Sequence, residues 1–181
     1  MERVRVATLT HSGKRQLRRS PGWDAGQALY TRLVKAREAF HDSKLYAMYQ
    51  CHVAGLVRQG AVIRRVQLDY ELKREYLRDL RRREAQSGST GRVLAEQVAA
   101  DHNLPIQQGK VQYPDLRIEY ETPGGDLARV ELELATAAYH AGHLAQKQQA
   151  GFVLYAARGE QESVGARVRD DHELVREILS F

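Results

Sequence analysis

A single cysteine, Cys51, rules out an internal disulfide and any cysteine-based zinc pattern. No run approaches the roughly 20 apolar residues that a membrane-crossing helix needs, so no membrane partner is expected. The opening MERVRVATLT lacks the apolar core of a secretory signal, and the expected location is the cytoplasm. No internal repeat is visible, which argues against a solenoid or other repeat array.

What remains is a chain of 181 residues, long enough for one domain with a substantial core, or for one domain plus a small appendage. The net charge of +5 is modest, but its distribution is uneven. Residues 1–20 carry six Lys/Arg against one acid, and residues 60–92 carry nine against five, including Arg81-Arg82-Arg83. Clustered positive charge suits a phosphate backbone, because neutralising phosphates releases condensed counterions. A solvated helix face with internally paired charges reads the same way in sequence. DNA is the expected partner. Lys73, Arg74, Arg78, Arg81, Arg82 and Arg83 are the candidate backbone contacts, and a homodimer or partner protein is left open.

Residues 3–9 alternate with period two and predict a strand, followed by a basic helix over 14–19 and the break Ser20-Pro21-Gly22. Residues 24–59 are predicted mostly helical, with Asp42 or Ser43 capping the second half and Gly60 ending it. A strand over 61–70, a charged helix over 71–85 and a helix over 92–102 ended by Asn103 follow. Strands over 111–120 and 127–134 flank the turn Thr122–Asp126. A helix over 135–149 then leads to an apolar strand over 151–157, a crossover that makes the last pair parallel. An amphipathic helix over 171–181 closes the chain. This order predicts an α/β domain over 23–181, a mixed sheet flanked by helices, with residues 1–22 as a separate piece.

The hairpin carries the candidate chemistry. Asp115 follows Pro114 on its first strand; Glu131 and Glu133, two apart on the second, share a face. Three carboxylates on one face would make an oxygen-rich site for Mg²⁺ or Mn²⁺. Such an ion activates water and offsets charge at a phosphoryl centre. Lys147, on the following helix, is placed to add positive charge. Acids on an exposed strand face would have no such role. Other clusters compete. His140 and His143, with Glu133, have the ligand types of a transition-metal site, or are surface histidines. Asp69, Glu71 and Lys73 imitate an acid-x-lysine motif, though early helix acids also complement the macrodipole. Glu38 or Asp42 is a weaker candidate from the first long helix. Tyr70 and Tyr76 are candidate stacking residues or core.

Pro114-Asp115, a hairpin and Glu131-Leu132-Glu133 resemble the motif of the PD-(D/E)XK nuclease superfamily over roughly residues 40–157. Glu133 stands where that motif usually has lysine. Some members carry the lysine on the next helix, where this chain has Lys147. The segment VELELATAAYHAGHLAQKQQAGFVLY looks like the corresponding strand and helix of replication-relaxation proteins of bacteria and plasmids. RVRVATLTHSGKRQL is similar to the last strand and closing helix of a winged helix-turn-helix, whose common ending is L-T-x-x-G-x-R-x-L. These resemblances imply a restriction-endonuclease-like core behind a partial winged-helix element. They also imply metal-dependent DNA hydrolysis linked to replication or mobile elements. In that reading Asp115, Glu131 and Glu133 hold the metal and Lys147 assists. The missing lysine keeps open a non-catalytic DNA-binding, replication or mobilisation protein. The basic helix alone would also suit docking of an acidic partner protein.

Overall fold

The structure is a computed structural model and describes residues 7–21, 29, 31, 38–88, 90–136, 139–157, 160 and 178–180. Among these, no helix is long and apolar enough to cross a membrane. The elements are α1 (His11–Leu17), α2 (Ala39–Arg58), β1 (Val62–Leu68), α3 (Asp69–Ser87), α4 (Arg92–Asp101), β2 (Ile106–Gln107), β3 (Lys110–Val111), β4 (Leu116–Glu121), β5 (Leu127–Leu134), α5 (Ala141–Gln149), β6 (Val153–Ala156) and β7 (Leu179–Ser180). The class is α/β, with a mixed five-stranded sheet in the order β1-β4-β5-β6-β7, flanked by helices. β1, β4 and β5 run antiparallel; β6 and β7 join in parallel. α5 is the crossover that lets β6 lie parallel to β5.

Strand alternation sorts residues between two faces. Leu116, Ile118, Leu132, Leu134 and Tyr155 form the main core with Met48 of α2, which covers that face. The opposite face is polar along β1, β4 and β5. There Arg65 and Gln67 donate to Glu75 of α3, and Arg117 donates to the carbonyls of His102 and Asn103 after α4. Helices α3 and α4 therefore lie over this side. A second apolar cluster holds them together: Tyr76, Val98, Ala99 and Leu104 with Ile106, Val111 and Tyr113. Near α5, Leu144 packs with Leu154 and Ala135.

Several boundaries differ from the sequence expectation. Thr10 caps α1 by accepting from Gly13 N–H at 3.0 Å, so the helix starts at His11 rather than Lys14. Of the expected first strand, residues 3–6 lie outside the described residues; Leu9 makes a parallel bridge with Thr31. Most of the segment before α2 also lies outside them. The expected strand over 111–120 divides, because Lys110–Val111 pairs with Ile106–Gln107 in its own small hairpin. The expected helix over 135–149 begins only at Ala141, since Ala135 N–H bonds Tyr155 O at 2.7 Å and prolongs the parallel ladder. Within the expected closing helix, Leu179–Ser180 is a strand paired with Tyr155–Ala156; residues 171–177 and 181 lie outside the described residues.

Candidate functional site

The β4–β5 register places the two acids at the open end of the hairpin. The ladder ends at Leu116 opposite Leu132, so Asp115, just before β4, stands where β5 runs on through Glu133 to pair with β6. Asp115 Oδ2 accepts from Leu134 N–H at 2.8 Å, and Asp115 N–H donates to Glu133 Oε2 at 3.2 Å. Lys147 reaches in from α5. Its Nζ lies 3.0 Å from Glu133 Oε1, and it donates to Tyr113 O at 2.6 Å. The Tyr139 hydroxyl donates to the same Glu133 oxygen at 3.0 Å. Glu133 is 1% exposed and Lys147 7%, so this group is largely withdrawn from water.

Burial and like charge control its protonation. Burial first, and the neighbouring Asp115 second, push the Glu133 carboxyl up to about 7, against the pull of Lys147 and Tyr139. Burial also raises Asp115; the Leu134 N–H, His41 and Lys147 act against it, and Asp69 reinforces it. The Tyr139 hydroxyl is pushed up by burial and by the two acids. His143, whose ring centre lies 4.7 Å from that of Tyr139 in a tilted contact, is lowered by burial and by Lys147. Two buried carboxyls that resist joint ionisation accept it readily when a cation lies between them.

Glu131 does not join this group. The cross-strand partner of Glu131 is Arg117, whose Nε donates to Glu131 Oε1 at 2.8 Å in a buried ion pair. The expected trio of Asp115, Glu131 and Glu133 thus separates into an acid pair and an acid–arginine pair. Among the described residues, no three His, Cys, Asp or Glu side chains are grouped as metal ligands. The Asp115–Glu133 pair is a smaller donor set. Two carboxylates are as many as Mg²⁺ commonly takes from a protein when it is bound with substrate phosphates.

The rival clusters find other places. His140 is the N-cap of α5 and exposed, not on a helix face with His143. Asp42 is exposed and lies 3.6 Å from His41; Glu38 is the N-cap residue of α2. Glu71 accepts from Leu68 N–H at 3.0 Å, a capping role, and Lys73 pairs with Asp69 at 2.7 Å. Asp69 itself borders the site: its N–H donates to Asp115 O at 3.2 Å. Tyr76 belongs to the second core, and Tyr70 is exposed. On α3, Arg78 and Arg82 flank Asp79 at 3.5 and 3.4 Å, and Arg83 pairs with Asp101. Arg74 and Arg81 are exposed and make no ion pair among the described residues.

Tyr139, Asp69 and Arg117 were not marked for these roles by spacing alone. Asp69 had a signal, since it follows directly on the strand that pairs with β4. Tyr139 and Arg117 had none that fixed a partner. The chain matches no protein-family model, no curated protein and no solved structure.

Proposed function

We propose that the chain is a DNA-directed phosphodiesterase of the PD-(D/E)XK nuclease-like kind, dependent on Mg²⁺ or Mn²⁺. The observation that carries this reading is the meeting of Asp115, Glu133 and Lys147 at one end of the sheet. Asp115 and Glu133 are the residues that would hold the ion. When bound, the ion would lower the pKa of a water and offset charge on the phosphoryl oxygens. Lys147, 3.0 Å from Glu133, would stand beside a phosphoryl group that gains negative charge. Tyr139 holds the Glu133 carboxyl in place by its hydroxyl. In the hydrolysis, a water oxygen bonds to phosphorus, the bond to the leaving sugar oxygen breaks, and a proton reaches that oxygen. Arg74 and Arg81 on α3 supply phosphate-binding charge not engaged in ion pairs among the described residues.

The test is cleavage of labelled single- and double-stranded DNA with Mg²⁺, Mn²⁺ or chelator. Cleavage should need the metal and fall by about 100-fold or more in Asp115→Asn and Lys147→Met. Salt-sensitive binding with no cleavage under any metal would favour instead a non-catalytic replication or mobilisation protein.

A further inference from the structure

The two sides of α3 differ in what they offer a partner. The inner side carries Leu72 and Tyr76, both buried. Most of the helix's acids are taken up by the fold. Glu71 caps the first turn, and Glu75 accepts from Arg65 and Gln67 of β1. Asp79 holds His102, the C-cap of α4, at 2.9 Å, and Asp69 pairs with Lys73. Glu84 follows near the C-terminal end.

The outer side carries a stripe. Tyr70, Arg74, Leu77 and Arg81 stand four, three and four residues apart, which on a helix confines them to about 60° of arc. All four are exposed, Tyr70 by 39% and Leu77 by 43%. Arg74 and Arg81 make no ion pair among the described residues. At a rise of 1.5 Å per residue the stripe is about 16 Å long. It begins one residue after Asp69, whose N–H meets Asp115 O at 3.2 Å, so one end lies by the acid pair.

The order ring, cation, aliphatic, cation narrows the partner. The outside of a duplex would satisfy the arginines, but its base faces are stacked inside. Tyr70 and Leu77 would then press on charged phosphates and strip their water, which is unfavourable. An unpaired strand shows phosphates and base faces together, so guanidinium groups and an aromatic ring both find a match. An anionic lipid surface also combines the two chemistries, but two apolar side chains insert little area into it.

We propose that this stripe is a track for a single DNA strand, with Arg74 and Arg81 on its phosphates and the Tyr70 ring stacked on a base near the acid pair. The track rests on the phosphodiesterase reading for where the strand leads, and it narrows that substrate to unpaired DNA.

The experiment compares a short fluorescent oligo-dT with a hairpin duplex of equal phosphate number, by anisotropy at low salt with chelator present so that nothing is cut. Wild type should prefer oligo-dT. Tyr70→Ala should weaken oligo-dT binding about tenfold and leave the duplex affinity unchanged, while Tyr70→Phe keeps both. Arg74→Ala/Arg81→Ala should weaken both ligands, since both offer phosphates. A strand carrying bromodeoxyuridine should crosslink to Tyr70 of the wild type under ultraviolet light, which mass spectrometry locates. Equal wild-type affinities, equal losses on both ligands in Tyr70→Ala, crosslinks confined to other elements, or no binding of either ligand overturns the track. Phosphatidylserine vesicles bound in place of DNA, with binding lost in Tyr70→Ala, would assign the stripe to a lipid surface and overturn it too. Single-strand preference without cleavage in any metal removes the phosphodiesterase alone; metal-dependent cleavage without that preference removes the track alone.

Discussion

Arg117 divides its guanidinium among three acceptors: Glu131 Oε1 at 2.8 Å and the carbonyls of His102 and Asn103 at 2.8 and 3.0 Å. Arg117→Met should destabilise the fold by about 3–5 kcal/mol, because it strands a buried carboxylate, and urea unfolding measures this. Glu131→Gln should cost less, since an acceptor for the arginine remains. At Glu133 the prediction concerns pH. The ordinary value of this group is 4.5, and the fold raises it to about 7. Below 4.5 the carboxyl is protonated whether folded or not. Between 4.5 and 7 the unfolded chain releases its proton while the folded chain holds it, so stability falls as pH rises. Melting temperature in chelator should decline across that window, and Glu133→Gln should flatten the decline. Mn²⁺ should raise the melting temperature more at pH 8 than at pH 5, where the ion competes with a proton; an equal shift at both would count against a metal on this pair. Spacing showed that Glu131 and Glu133 share a face. It could not show that Arg117 would claim Glu131, because that depends on register between strands.

α3 carries the basic run, but most of its charge is already committed within the fold. Arg78, Arg82 and Arg83 face acids on α3 or α4, and Lys73 faces Asp69. The double variant Arg74→Ala/Arg81→Ala should therefore weaken DNA binding with little loss of stability. It should also reduce the slope of log affinity against log salt by about two for duplex DNA. A salt titration by anisotropy reads that slope, and an unchanged slope would move the DNA surface elsewhere. The long helices and β5 were legible because periods of 3.6 and 2 are strong local signals. The ends of α2 and α4 were legible too, at Gly60 with φ 85° and Asn103 with φ 51°. The β2–β3 hairpin was not. Its turn uses Gln108 and Gly109, both at positive φ, in place of the Asn-Gly or Asp-Gly that announces such turns. The start of α5 was hidden for another reason. Ala135 has high helix propensity, but its N–H is taken by Tyr155 in the sheet.

The main core among the described residues is one helix against one face of the sheet. Met48, fully buried, is where α2 meets Leu116, Ile118, Leu132 and Leu134. Met48→Ala should cost about 2–5 kcal/mol in chemical denaturation, and a loss below 1 would place the stabilising core elsewhere. The mixed sheet and its parallel crossover followed from element order; the strand at 179–180 did not, because its partner lies more than twenty residues upstream. The β4–β5 ribbon has a bearing on how the molecule can be handled. Six paired positions separate the acids at its root from the turn Thr122–Asp126 at its tip, about 20 Å of strand. Gly124 and Gly125 at that tip are exposed. A dye, a surface tether or a short inserted peptide at Gly124 would thus ride on the far end of the ribbon, and an immobilised copy would keep the Asp115–Glu133 end clear of the support.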